Sequence, residues 1–126
     1  MTHRFGTAIN CIDGRVQAPV ARWLQERYHL DFVDLITEPG ADKALATGTP
    51  EALASIRAKV EISVGRHGSS VVAVAGHDDC ASNPVSAAEH HQHLRAAVRA
   101  LRLMNIPTTI VGLWVDEQWQ VCEVQG

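Results

Sequence analysis

Ser70 to Ala75 reads Ser-Val-Val-Ala-Val-Ala, a run of small, mostly apolar residues without a single charge. A half-exposed strand alternates polar and apolar side chains, whereas a run like this suits a central strand buried on both faces. Helices must then cover the sheet above and below, and the rest of the chain supplies them. Thr7 to Ile12, Phe32 to Ile36 and Thr108 to Val115 are further short apolar runs. Between them, apolar residues recur at helical spacing. Val16, Val20, Trp23 and Leu24 form one stripe, with Pro19 tolerable in a first turn. Leu53, Ile56, Val60 and Val64 form a second, from Glu51 to a close at Gly65 and Gly68. Leu94, Val98 and Leu101 form a third, in a helix expected to start at Pro84, since proline favours a first helical position. Glu38 to Pro50 holds two Pro and two Gly and is expected to be the longest irregular segment. Asp116-Glu117-Gln118 reads as a turn, after which Trp119 to Val124 returns as an antiparallel edge strand.

The alternation predicts an α/β fold with a mostly parallel sheet and helices on both faces. Right-handed crossovers give the strand order 2-1-3-4, with the last strand added antiparallel at the edge. At 126 residues, 46% of them hydrophobic, the chain is expected to be a single domain over 1–126. The net charge of −3 is small and the 11 Lys and Arg are scattered, so nucleic acid is not an expected partner. No stretch of about 18 apolar residues suggests a membrane span. The start, Met-Thr-His-Arg-Phe-Gly, runs straight into the first strand pattern, and a cytoplasmic location is expected. An odd set of three Cys fits no disulfide framework and directs attention to metal or catalysis.

Two strings carry that chemistry: Cys11-Ile-Asp-Gly-Arg15 and His77-Asp-Asp-Cys80. Each follows a strand-like run. In an open α/β sheet, ligands gather beyond the carboxyl ends of strands where the strand order reverses, and strands 1 and 3 meet at that point. Cys11, His77 and Cys80 offer two sulfurs and an imidazole, a donor set that suits zinc. Three protein ligands leave a fourth position open, the catalytic rather than the structural arrangement.

The spacings Cys-x-Asp-x-Arg and His-x-x-Cys resemble the marks of the β-class carbonic anhydrases. Ile110-Val-Gly-Leu-Trp-Val-Asp116 also resembles that family's final hairpin. The resemblance implies zinc held by Cys11, His77 and Cys80, and the reversible hydration of carbon dioxide to bicarbonate by hydroxide formed at the metal. It implies that Asp13 pairs with Arg15. The bidentate, permanently charged guanidinium would hold the carboxylate off the metal, where it would otherwise become a fourth ligand. Asp13 would also orient the attacking hydroxide. Where the family commonly carries an Arg-Asn-Ala-Gly type motif near its substrate pocket, this chain reads Leu35-Ile-Thr-Glu-Pro-Gly-Ala-Asp-Lys43, and Ala81 follows Cys80 where Gly is usual. A zinc hydrolase of carbonyl sulfide or carbon disulfide is therefore an alternative, as is a catalytically silent zinc- or anion-binding module. The three Trp and an apolar sheet edge in so small a chain lead to the expectation of a homodimer or higher homo-oligomer.

Other polar residues have blander expectations. Asp78 and Asp79 should cap a turn and face solvent, respectively or in reverse. His90, His91 and His93 are expected on a solvated helix face, with proton shuttling or a secondary metal as the sharper alternative. His67 is a candidate proton relay. Cys122 is expected to be a small packed residue, and Trp23, Trp114 and Trp119 to lie in the core or at a subunit interface.

Overall fold

A computed structural model describes residues 3–124. Its elements run β1 (Phe5–Asn10), α1 (Gln17–Tyr28), β2 (Phe32–Thr37), α2 (Ala41–Thr47), α3 (Pro50–His67), β3 (Val71–His77), α4 (Ala87–Leu103), β4 (Thr109–Val115) and β5 (Val121–Val124). The sheet order is β2-β1-β3-β4-β5, parallel except for the antiparallel β4–β5 pair. This is the architecture and order the sequence predicts.

Every residue of β3 is buried, and its side chains alternate between two cores. Val72 and Val74 join Ile9, Ile56, Val60, Leu94 and Leu101 beneath α2, α3 and α4. Val71, Ala73 and Ala75 join Ala8, Val16, Val20 and Leu24 beneath α1. The strand's period of two thus sends half its apolar residues to each layer, which is why it shows no polar face.

Four expectations shift. Within Glu38–Pro50, expected as irregular, residues Ala41–Thr47 form α2. Gly40 enters it with φ +59, a backbone region open to glycine. Seven residues are too few to show a helical period; burial of Ala41 and Leu45 against the rest of the core holds the turn. The fourth helix begins at Ala87 rather than Pro84, because Ser86 caps it by accepting from Glu89 N–H at 3.2 Å. Ser86-Ala-Ala-Glu89 is a capping-box spacing, and it outcompetes the proline signal. The last strand starts at Val121, not Trp119. Cys122 is exposed rather than packed, since the edge strand turns it outward.

Candidate metal centre

β1 and β3 are neighbours, and both end at the same edge of the sheet. Cys11 follows β1, His77 closes β3, and Cys80 lies in the loop leading to α4. All three are buried, and one donor atom from each lies within 4.8 Å of the others. The Cys11 and Cys80 sulfurs are 4.0 Å apart. That is about twice a disulfide bond. It is close to the roughly 3.8 Å separating two sulfurs at Zn–S distances near 2.3 Å around a tetrahedral ion.

The imidazole is oriented for the same purpose. His77 Nδ1 lies 2.7 Å from the Asp78 carbonyl oxygen, which only accepts, so Nδ1 carries the proton. Nε2 is left with its lone pair, buried and without a hydrogen-bond partner. An orphaned ring nitrogen beside two buried thiols is costly without a further partner, and a backbone carbonyl on the opposite nitrogen is the usual brace of a metal-ligating histidine. Burial pushes the Cys80 thiol pKa up and the neighbouring Cys11 adds to that direction, while backbone N–H groups of Ser82 and Asn83 pull against it. The donor set fits zinc, which stabilises the thiolate that burial alone disfavours.

The loop after Cys11 is tied at several points. Buried Asn10 accepts from Cys11 N–H at 3.0 Å and donates to the Val16 carbonyl at 3.1 Å. Gln17 Nε2 donates to the carbonyls of Cys11 and Asp13. Asp13 receives Arg15 through Nη2 at 2.7 Å, Nε at 3.0 Å and the Arg15 backbone N–H at 2.9 Å. The side-chain bond to Arg15 lowers the Asp13 pKa to about 2, against the opposing effect of burial. Arg15 reaches further, donating to the Asp79 carboxylate at 3.3 Å and to the Asp79 carbonyl at 3.2 Å. The half-buried Trp119 ring lies over the guanidinium at 4.8 Å. Asp79 stays solvated as expected, with 78% of its side chain exposed, while touching Arg15, and Trp119 packs against the core beneath α1 with its ring also over the charge. Trp114 is buried in the core as expected.

The histidine-rich helix departs most from expectation. His90 is 1% exposed, not solvated. Its Nδ1 lies 2.6 Å from Oδ2 of Asp42, itself 1% exposed. Asn83 donates to Asp42 Oδ1 at 3.2 Å and approaches His93 Nδ1 at 3.0 Å. Burial pushes the Asp42 carboxyl up, but the His90 bond and charge, with Asn83 and the Lys43 N–H, outweigh it and hold it low. The only sequence signal for this pair was an acid next to a glycine turn. His91 sits edge-on to Trp114. His67, the candidate relay, stacks on Phe5 at the start of β1 and bonds Asp34 at 2.6 Å. That is the opposite end of the strand from Cys11.

Comparison with known proteins bears on the family and the fold. The sequence profile of a family described as "Putative carbonic anhydrase" matches residues 1–125. Among curated proteins, none matches this chain in sequence. Several solved structures share the fold. A β-carbonic anhydrase isoform from Trichomonas vaginalis is 14% identical with a TM-score of 0.66, over 98% of this chain and 83% of that one. One of two tetrameric β-carbonic anhydrases from Sordaria macrospora is 13% identical with a TM-score of 0.57, over 100% and 83%. A β-carbonic anhydrase from Aspergillus fumigatus is 16% identical with a TM-score of 0.52, over 98% and 76%.

Proposed function

Because this chain belongs to the family described as "Putative carbonic anhydrase", we propose that it binds zinc through Cys11, His77 and Cys80 and reversibly hydrates carbon dioxide to bicarbonate. The observation that carries this reading is the buried cluster of two sulfurs and an unpartnered imidazole nitrogen beside a carboxylate already held by an arginine. Bound zinc would supply Lewis acidity, lowering the pKa of water towards about 7.

The chain's own residues do the rest. Arg15 holds Asp13 in a forked ion pair, which keeps the carboxylate from closing the ligand set. Asp13 stays ionised across neutral pH and is an acceptor only, so it orients a water by taking its O–H at a carboxylate oxygen. His77 is fixed in one tautomer by the Asp78 carbonyl and keeps Nε2 free to ligate. The same reading makes residues 1–126 one catalytic domain of a cytoplasmic lyase. Among the described residues, no helix is long and apolar enough to cross a membrane. Exposed Phe32 and Leu35 on the edge strand β2 support self-association as a homodimer or larger assembly.

The test is stopped-flow carbon dioxide hydration by zinc-loaded protein, with metal content measured alongside. Hydration with one zinc per chain, lost in Arg15→Ala while zinc is retained, is the expected result. Turnover of carbonyl sulfide without hydration of carbon dioxide would replace the substrate. Stoichiometric zinc with neither activity would leave a silent module.

A further inference from the structure

Arg15 is gripped from three loops, and two of the gripping residues hold unusual backbones. Asp79 has φ +57 and Trp119 has φ +61. Aspartate tolerates the left-handed region because its short side chain can bond locally, but a bulky tryptophan there is an outlier that its surroundings must enforce. Strain of this kind persists only where the neighbouring structure over-determines it, and it concentrates at functional positions.

The enforcing contacts are visible. Asp116 Oδ1 accepts from Gln118 N–H at 2.9 Å and Gln120 N–H at 3.0 Å, and the Asp116 carbonyl accepts from Trp119 N–H at 3.0 Å. The turn is anchored to the ligand strand. Val115, one residue before Asp116, pairs with His77, and its carbonyl accepts from Asp78 N–H at 2.9 Å. The strained turn delivers the indole face onto the guanidinium at 4.8 Å. Asp79, lying between His77 and Cys80, takes the two outer nitrogens.

We propose that Trp119, placed by the strained β4–β5 turn, is a positioning residue that clamps Arg15 by covering its guanidinium while Asp79 takes the outer N–H groups, so that Arg15 keeps Asp13 off the metal. This rests on the zinc enzyme reading above, and it adds a part that the two sequence strings do not contain. Arg15 has 46% of its side chain exposed, so the Asp13 pair alone competes with water. An aromatic face covers the guanidinium plane without competing for its N–H donors, all of which remain for the two aspartates.

The experiment compares wild type, Trp119→Phe and Trp119→Leu as full-length, zinc-loaded protein. Arg15 Nε–H exchange is followed by NMR, together with kcat, KM and zinc content. Leucine keeps apolar bulk but has no π face. It should raise Nε–H exchange and lower kcat by about two- to fivefold, the range expected for a half-exposed cation–π contact. KM and zinc content should hold. Phenylalanine should restore both. If leucine and phenylalanine behave alike, or if Nε–H exchange in Trp119→Leu matches wild type, Trp119 only fills space and the clamp is overturned. A wild type without hydration activity would refute the enzyme reading, but Arg15 exchange would still decide the clamp. Should Trp119→Leu fail to fold, Asp116→Ala, which releases the turn, must raise Arg15 exchange for the proposal to stand.

Discussion

Replacing His90 with alanine should cost this protein a large share of its stability, although His90 lies outside the two metal-site strings. His90 and Asp42 are each 1% exposed and meet at 2.6 Å. Removing the imidazole leaves a carboxylate in the core with only Asn83 Nδ2 at 3.2 Å and the Lys43 N–H at 2.9 Å, both on Oδ1. Oδ2 then has no donor. Stranding a buried carboxylate by removing its partner costs about 3–5 kcal/mol. Whole domains have roughly 5–15 kcal/mol of stability. At about 2.1 cal/mol/K per residue of unfolding entropy, a chain of 126 residues should lose roughly 11–19 °C in Tm. Urea denaturation and calorimetry of His90→Ala, of Asp42→Leu and of the double variant His90→Ala with Asp42→Leu measure this directly. The double variant leaves no orphaned charge, so it should cost less than the two single variants added together. A loss under about 1 kcal/mol in His90→Ala, or simple additivity in the cycle, would refute the reasoning.

Three further outcomes follow from neighbouring features. A Cβ at Gly76 would lie 2.7 Å from Asp42 Oδ2, a group pinned by His90, so Gly76→Ala should cost about 1–3 kcal/mol and lower zinc retention at adjacent His77. Gly14→Ala, with nothing within 4 Å of the new atom, is its control and should stay within about 0.5 kcal/mol; thermal melts and metal analysis check both. Asp13, lowered to about 2 chiefly by Arg15, contributes stability that is present above its ordinary value of 3.8 and lost as pH falls through about 2. The stability gap between wild type and Arg15→Ala should therefore close between pH 5 and pH 2, as read by urea midpoints across ~pH 2–7. Ser86→Ala removes the cap on α4 and should cost about 1 kcal/mol by the same measurement.

Local pattern was enough for the sheet and the donor set. The apolar run before Gly76 suits a strand covered twice, and the alternation around it, with right-handed crossovers, pointed to the parallel order that brings the ends of β1 and β3 together. Cys11, His77 and Cys80 were legible because their spacing is short within each string and each string follows a strand. Period and spacing survive in sequence because they concern residues a few positions apart.

Partnerships across the fold did not survive there. Asp42 and His90 are 48 positions apart, Arg15 and Asp79 are 64 apart, and no local signal separates a buried acid from a solvated one. Helix α2 went unseen because its seven residues are held by packing rather than by propensity. Trp119 read as a core or subunit-interface aromatic, and it does pack against the core, but nothing in Asp-Glu-Gln-Trp-Gln announces a left-handed backbone. That conformation is imposed by Asp116 and by the strand paired with His77, and it is these long-range contacts that put an aromatic face on the arginine.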